Sequence, residues 1–358
     1  MTLNRNENEP GDPGHHMNTH WICTANHGFA PYAQEELRRM FGAVKSTIVV
    51  PGEVMYVLLP QQAEQVLANV ADHPPIFLRH LFHVDWLWNA QENEDGADWI
   101  GELVHFLSSD PRLRGSKIAI QPRKSEGALW SGSAAELKEM LESRLTELSA
   151  EFVVRDAEYI ISVFASKDCI FAGVSHPAYN ISDWNGGAVR FQREEGQISR
   201  AKFKLLEAER VFGIDFTAFH QALDIGAAPG GWTSFLLERG LNVTAVDPAR
   251  MHPSLVSSPQ LTILRKNAGE VKFKDNQFDL FVCDMSWSPK LTAKLVSELL
   301  YALESGGTAI VTVKLLSKKP MALIQEVTAI FERSRMQVQR AKQLFHNRDE
   351  ITLYMIKY

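Results

Sequence analysis

The stretch Ala222-Leu-Asp-Ile-Gly-Ala-Ala-Pro-Gly-Gly-Trp-Thr233 decides the fold of this chain. Its apolar start predicts a buried parallel strand, and the apolar spacing from Thr233 onward predicts a helix, so the glycines lie in the turn between them. Because Gly226, Gly230 and Gly231 lack a Cβ atom, the backbone of this turn can approach a ligand closely. The helix that follows presents free N–H groups at the carboxyl edge of the sheet. The stretch therefore predicts an α/β fold that binds a ligand at that edge.

A second predicted strand, Leu241–Val246, ends in Asp247, roughly twenty residues beyond the turn. A carboxylate at this place can accept hydrogen bonds from the two hydroxyls of a ribose. The turn lacks the G-x-G-x-x-G pattern of dinucleotide sites, and Pro229 stands where that pattern has no proline. A nucleoside ligand is therefore favoured over a purely structural turn, and a sulfonium nucleoside is favoured over NAD, which disfavours an NAD-dependent oxidoreductase.

The composition is that of an ordinary globular chain, with 358 residues of which 45% are hydrophobic and 22% charged. This length predicts two or three domains. No apolar run reaches the length of a membrane span and no signal peptide begins the chain, so we expect a cytoplasmic protein without membrane partners. Cys23, Cys169 and Cys283 are far apart and form no C-x-x-C pair, which disfavours disulfide and zinc sites and favours core packing.

The net charge of −6 disfavours indiscriminate binding to nucleic acid but allows a local basic face. Three groups of basic residues are candidates for such a face, although a solvated surface is the simpler interpretation of each group alone. They are Arg112, Arg114, Lys117, Arg123 and Lys124; Arg200, Lys202 and Lys204; and Lys314, Lys318 and Lys319.

The first 75 residues contain two different regions. Residues 1–17 are polar and marked by proline and glycine, which predicts a disordered tail in which His15 and His16 are not metal ligands. Residues 18–75 alternate between predicted strands and helices. They predict an α+β unit that is small for independent stability.

Residues 76–178 predict a second α+β unit, with an acidic loop at residues 92–95, a helix at Ser133–Leu148 and a closing pair of strands. This order resembles a THUMP domain, an RNA-binding module of RNA-modifying enzymes; an α+β unit that only packs on its neighbour is the alternative. Residues 179–198 are a turn-rich linker. We expect its Trp184 to close a domain interface, with stacking on a base as the alternative.

Residues 199–358 alternate between strands and helices and contain the glycine turn. A helix is predicted at Ser199–Glu209, before the turn, and five β/α alternations follow. In one of them, a helix at Lys290–Glu304 is followed by two glycines and then by the fifth strand. Glu350–Ile356 forms the last strand. The pattern predicts a doubly wound, mostly parallel sheet with an antiparallel last strand.

Four ionisable residues are expected around the carboxyl edge of this sheet. Asp284, Lys314 and Glu350 fall at strand ends, and Lys204 lies on the helix before the glycine turn. Each alone is explained as a solvated charge, but together they suit a hydroxyl that attacks the methyl group of a sulfonium. That hydroxyl must lose its proton, and a lysine accepts it only when burial or a second cation makes the amine neutral near pH 7. We expect Asp284 to orient that amine.

The glycine turn and these four residues resemble the FtsJ-like ribose 2′-O-methyltransferases. The turn has the P-G-G-W form of that family's first motif. Its K-D-K-E tetrad is matched by Lys204 in Ser-Arg-Ala-Lys-Phe-Lys-Leu, Asp284 in Val-Cys-Asp-Met, Lys314 after Val-Thr-Val and Glu350 at the end of His-Asn-Arg-Asp-Glu. The resemblance implies a Rossmann-like domain, S-adenosyl-L-methionine (SAM) as cofactor, no metal, and Lys314 as the base. It also implies these cofactor-binding residues: Asp224, Gly226, Ala227, Pro229, Gly230, Gly231, Trp232, Asp247, Asn267 and Asp284.

One branch of this family, which methylates large-subunit ribosomal RNA, has a ferredoxin-like unit, a THUMP domain and a catalytic domain in this order. Residues 184–187, 282–285 and 342–350 resemble its segments, which implies 23S rRNA as substrate and a ferredoxin-like fold for residues 18–75; we favour a monomer. Asn267 departs from the acid usual in the family, but its amide oxygen could still accept from adenine N6. A non-catalytic RNA-binding or ribosome-assembly factor with a vestigial fold is the alternative.

Overall fold

The structure, a computed structural model, describes residues 18–93, 98–193, 195–315 and 319–358. The predicted disordered tail with its two histidines, Lys318 of the third basic group and half of the predicted acidic loop lie outside these ranges. Three β-sheets follow one another along the chain.

The first sheet has the strand order β2-β3-β1-β4, and all its pairs are antiparallel. Its elements are β1 (Thr19–Ala25), α1 (Ala30–Phe41), β2 (Lys45–Val50), β3 (Val54–Leu59), α2 (Ala63–Asp72) and β4 (Leu78–His83). Helix α1 buries Ala33, Leu37 and Phe41, which recur at helical spacing. Strand β4 lies beyond residue 75, where we expected this unit to end, because it pairs with β1 and completes a β-α-β-β-α-β order.

The second sheet has the order β5-β9-β8-β6-β7, and β6 has parallel neighbours on both sides. Its elements are β5 (Trp86–Asn89), α3 (Trp99–Ser108), β6 (Lys117–Lys124), α4 (Ala134–Arg144), β7 (Glu151–Phe152), β8 (Tyr159–Ala165) and β9 (Cys169–Ser175). Helix α4 begins with a capping box between Ser133 and Glu136. It ends at Arg144, and the predicted helix end at Leu148 lies in a 3₁₀ turn.

The third sheet has the order β12-β11-β10-β13-β14-β16-β15. Its elements are α5 (Lys202–Phe212), β10 (Gln221–Ile225), α6 (Gly231–Glu238), β11 (Asn242–Val246), β12 (Leu261–Leu264), β13 (Phe278–Cys283), α7 (Pro289–Leu299), β14 (Leu303–Lys314), α8 (Pro320–Arg333), β15 (Met336–Lys342) and β16 (Glu350–Lys357). Strands β10 to β14 are mutually parallel, and β16 runs antiparallel between β14 and β15. This confirms the predicted mostly parallel sheet with an antiparallel last strand.

The connections around β12 differ from the predicted β/α alternation. Residues 247–277, all of them described, cross between β11, β12 and β13 with 3₁₀ turns at Pro253–Leu255 and Ala268–Glu270 in place of α-helices. Each turn buries one of its side chains, Leu255 and Ala268, and Met251 and Val271 beside them are also buried. Full helices are not needed to exclude water from this part of the core.

The end of α7 also differs from the prediction. The helix ends at Leu299, short of Glu304, because Leu303 already pairs with Phe278 of β13. The strand then bulges at Gly306, which has φ 82°, before Thr308 resumes the pairing. The two glycines therefore lie inside β14 and not ahead of it.

The apolar cores of the three units are joined. One cluster of buried side chains contains Trp21 and Leu37 of the first unit and Phe281 of the third. A second cluster joins Ile22 of the first unit to Phe171 of the second. The first unit therefore packs directly against the third sheet, although the second unit separates the two along the chain.

Two sequence expectations on composition can be compared with this structure. The three cysteines are buried and unpaired, as core packing predicts. Within the described ranges, no helix has both the length and the apolarity that crossing a bilayer requires.

Gly173 of β9 lies against the carbonyl oxygen of His83 at the end of β4, where the first two sheets meet. A Cβ atom there would overlap that oxygen, so we predict that Gly173→Ala lowers the free energy of unfolding by about 1–3 kcal/mol. Gly269→Ala is the matched control, because nothing lies within 4 Å of its added Cβ. Thermal unfolding followed by circular dichroism measures both variants, and equal midpoints would contradict this packing.

Candidate active site

The predicted glycine turn connects β10 to α6 as expected. Gly226 and Gly230 have φ angles of 77° and 114°, which L side chains rarely adopt. The N–H of Gly226 donates to the carbonyl of Val246 at 2.9 Å, which holds the turn against β11. Helix α6 then begins at Gly231, so its first N–H groups have no partner within the helix. Of the remaining turn residues, Ala227 is buried and Pro229 is exposed.

Asp247 and Asn267 lie along the same edge as the turn, because Ile225 pairs with Val246 and Val246 with Leu264 in parallel register. Asp247 accepts backbone hydrogen bonds from Ala228 at 3.1 Å and from Ala249 at 2.8 Å. The Asn267 amide nitrogen donates to Glu270 at 3.0 Å, and its amide oxygen has no partner among the described residues. A carboxylate, a free amide oxygen and a helix N-terminus thus share one edge.

Two residues expected to bind the cofactor are buried instead of facing that edge. Asp224 is 1% exposed and accepts a hydrogen bond from the Thr233 hydroxyl at 2.6 Å. Trp232 is 3% exposed, and its indole N–H donates to the carbonyl of Ala201 at 2.9 Å. Both side chains therefore make hydrogen bonds inside the protein that hold the turn in place. The Trp232 bond also connects α6 to the residue before α5.

The four ionisable residues of the predicted tetrad are in contact, in the order Asp284, Lys204, Glu350, Lys314. The Lys204 ammonium donates to both carboxylate oxygens of Asp284 at 2.9 Å and also pairs with Glu350. The Lys314 ammonium donates to the other Glu350 oxygen at 2.5 Å. Lys314 and Glu350 are direct partners in the antiparallel ladder of β14 and β16, which fixes this pair.

This order corrects the role expected for Asp284. The carboxylate that contacts Lys314 is that of Glu350, whereas Asp284 contacts Lys204 and accepts a hydrogen bond from the Thr312 hydroxyl at 2.8 Å. The difference arises because α5 crosses the strand ends and inserts Lys204 between the two carboxylates. The Lys314 side chain remains the most accessible of the four, 23% exposed against 2% for Glu350.

The opposite charges of the tetrad stabilise the ionised forms of Glu350 and Lys204. Burial raises the pKa of Glu350, but the ammonium groups of Lys204 and Lys314 outweigh burial and hold that pKa below its ordinary value. Burial lowers the pKa of Lys204, but Asp284 and Glu350 outweigh it and raise that pKa. Glu350 is therefore an anion and Lys204 a cation over the whole neutral range.

Sequence reasoning missed several side chains that hold the site. Thr312 lies two residues before Lys314 on the same face of β14, a spacing that could have identified it. Asn347 is 3% exposed and donates to Glu350 at 3.4 Å. No spacing identifies Asn347, because the loop that carries it has no periodic pattern.

Three members of the predicted basic groups have partners inside the protein, whereas Arg114 and Arg200 are exposed. Arg123 points inward, donating to the Thr24 hydroxyl at 2.7 Å, and Lys124 donates to the carbonyls of Trp130 and Gly132 at 2.7 Å. Lys202 is buried and pairs with Glu238 at 2.8 Å. These charges hold the protein together, so they are not available to phosphates.

Trp184 of the linker closes an interface, as the sequence predicts. The guanidinium groups of Arg155 and Arg210 lie over its ring, 5.5 and 5.6 Å from the centroid. Arg155 belongs to the second unit and Arg210 to α5, so the indole joins these two parts of the chain.

Comparison with known proteins identifies the family. The FtsJ-like methyltransferase model matches residues 197–345. Proteins named Ribosomal RNA large subunit methyltransferase M match most of the chain. The one from Psychromonas ingrahamii is 35% identical over 333 residues, 88% of each chain. The one from Aeromonas salmonicida is 31% identical over 325 residues, 85% of this chain and 86% of its own. The chain belongs to this methyltransferase family.

This methyltransferase uses SAM as its cofactor, as the resemblance implies. The residues along the strand-end edge fit a nucleoside of this kind. Asp247 would supply oxygens for the ribose hydroxyls and the Asn267 amide oxygen an acceptor for an exocyclic amine, and the glycines would let the backbone approach closely.

The buried Asp224 makes stability depend on pH. Burial raises its pKa to about 7 from 3.8, against the opposing Thr233 hydrogen bond, and the carboxylates of Asp284 and Asp247 add to the rise. The folded chain therefore binds this proton more tightly than the unfolded chain. The resulting stabilisation is complete below pH 3.8 and is lost as pH rises towards 7.

Asp224→Asn removes this titration. We predict that the variant gains stability relative to the parent as pH rises, by on the order of 4 kcal/mol between acid and neutral pH. Urea unfolding of both proteins over that pH range measures the difference, and Asp72→Asn at the exposed end of α2 is the control. A difference that does not change with pH would contradict the buried, titrating carboxyl.

Proposed function

We propose that this methyltransferase transfers the methyl group of SAM to a ribose 2′-hydroxyl of large-subunit ribosomal RNA, with Lys314 as the base. The observation that carries the proposal is the continuous chain of contacts from Asp284 through Lys204 and Glu350 to Lys314. It lies at the carboxyl edge of the sheet, beside the turn that fits the cofactor. The names of the relatives support ribosomal RNA as the substrate.

The residues of the tetrad have separate tasks in this proposal. SAM, when bound, supplies an electrophilic methyl group. Lys314, the most accessible of the four, accepts in its neutral amine form the proton that the 2′-hydroxyl loses as its oxygen bonds to the methyl carbon and the carbon–sulfur bond breaks. Glu350 is an acceptor on one side of the Lys314 amine, and this contact aims the amine.

Lys204 balances the negative charge of the site. Its ammonium contacts both carboxylates, so neither Asp284 nor Glu350 is an unpaired buried anion. Asp284 in turn is held by Thr312 and fixes Lys204.

Residues 18–178 serve RNA binding in this proposal, as a ferredoxin-like unit followed by a THUMP-like unit. The element orders of the first two sheets support these assignments. An RNA-bound arrangement also needs the two units to be fixed relative to the catalytic residues, and the shared apolar clusters supply that rigidity.

Methyl transfer from labelled SAM to ribosomal RNA that lacks the modification tests the proposal. We predict that Lys314→Ala lowers turnover by about 10²- to 10⁴-fold, the effect expected on removing a general base. SAM binding measured by calorimetry should be unchanged, since Lys314 is not among the residues that hold the nucleoside. The product should resist alkaline cleavage at the modified nucleotide, because its 2′-oxygen is blocked.

The matched control is Lys290→Ala, which removes another lysine–carboxylate pair of the same unit, Lys290 with Glu326 at 2.7 Å. It should keep full turnover. Undiminished transfer by Lys314→Ala would exclude Lys314 as the base, and a product methylated on a base instead of the ribose would exclude the proposed reaction.

A further inference from the structure

The loop between β15 and β16 leads into Glu350, and the first unit of the chain forms hydrogen bonds with this loop. Residues 343–349 contain Leu344 and Asn347, which are 1% and 3% exposed. The Asn26 amide nitrogen, from the end of β1 and its turn, donates to the carbonyls of both, at 2.8 and 3.1 Å. Both hydrogens of this amide are therefore used on the loop.

Arg79 of β4 orients Asn26. Its guanidinium donates to the Asn26 amide oxygen at 2.9 Å, which fixes the direction of the amide, and to the Gly186 carbonyl at 2.9 Å. The same guanidinium lies over the Phe345 ring at 5.1 Å from the centroid. Arg79 is 8% exposed and Asn26 7%, so the assembly is closed to water.

Asn347 connects the loop to the tetrad, because its side chain contacts Glu350. Its amide oxygen accepts from the backbone of Leu344 at 2.8 Å and from the Thr352 hydroxyl at 3.1 Å. Its amide nitrogen then faces Glu350 at 3.4 Å, at the long end of hydrogen-bond range. A shift of the loop backbone therefore moves the Asn347 amide, which donates to the Glu350 carboxylate. Glu350 in turn orients the Lys314 amine in the proposed function.

Contacts from other residues also hold the loop and the strand end before it. Lys342 donates to the carbonyls of Pro75 and Leu78 at 2.8 and 2.7 Å. Glu207 of α5 accepts from the backbone of Phe345 and His346 at 2.7 and 2.9 Å. Within residues 18–93, Asn26 is the side chain that bonds to the part of the loop next to Asn347.

We propose that Asn26, oriented by Arg79, is a positioning residue for Glu350 and that the first unit is thereby part of the catalytic architecture. This rests on the proposed function of Glu350 and Lys314. The cost of a displaced catalytic group is steep, since a misplacement of about 1 Å can lower a rate by about 10²-fold. The first unit then contributes to turnover itself, in addition to any contact with RNA.

Asn26→Asp tests the proposal, because the substitution keeps the shape and the Arg79 contact but removes both donated hydrogen bonds. We predict that turnover falls about 10- to 100-fold while KM for SAM stays within about twofold. Asn69→Asp is the matched control in the same unit, because the Asn69 amide donates only to Gln65 of its own helix at 3.1 Å. Unchanged turnover of Asn26→Asp, or loss of SAM affinity and turnover together, would overturn the proposal.

A double-mutant cycle with Asn347→Asp tests the route of the effect. If Asn26 acts through Asn347, the double variant should lose no more turnover than the more impaired single variant, whereas independent effects would multiply and contradict this route. Arg79→Lys provides a second variant should Asn26→Asp not fold; it should lower turnover with unchanged KM for SAM, and full turnover would count against the proposal. Lys314→Ala belongs in the same series: full activity there defeats the proposed function, whereas full activity of Asn26→Asp alone defeats only this inference.

Discussion

One carboxylate shared by two ammonium groups holds the site together. Glu350 is 2% exposed at its side chain and contacts Lys204 on one oxygen and Lys314 on the other. A buried anion without partners would cost several kcal/mol, so the fold must bring both cations to it. One comes from the neighbouring strand by ladder pairing, and the other comes from α5, which Trp232 anchors through Ala201.

The antiparallel direction of β16 is what makes this arrangement possible. Glu350 is the first residue of its strand, and it lies beside Lys314, the last residue of β14. A parallel strand at the same place would put its first residue at the opposite edge of the sheet. The reversed last strand thus brings a fourth ionisable group to the edge where β10, β11 and β13 end. The joined cores then explain why the N-terminal unit can reach the loop before Glu350.

Much of the catalytic unit could be predicted from the sequence. The glycine turn, the strand ends and the direction of the last strand follow from local sequence pattern. Because parallel strands end at one edge of a sheet, the residues at those ends are expected to lie close together. The partners within the tetrad could not be predicted, since they depend on where α5 crosses the strand ends. Asp224 and Trp232 belong to a motif that indicates a cofactor site, yet packing places both beneath it.

The contacts between the first unit and the loop before Glu350 could not be predicted from the sequence. Asn26 and Leu344 are 318 positions apart, and no spacing relates them. Pro74 and Pro75 follow the end of α2, but the unit expected to end at residue 75 continues, because β4 follows and completes the first sheet. Prolines interrupt a helix; they do not mark where a core ends.

A crystal structure of this protein with S-adenosylhomocysteine tests the central claim most directly. The nucleoside should lie along the glycine turn, with its ribose at Asp247 and its sulfur directed towards Lys314 and Asp284. The contacts among the four ionisable side chains should be unchanged. A nucleoside bound elsewhere, or one whose sulfur points away from the Lys314 amine, would contradict the account.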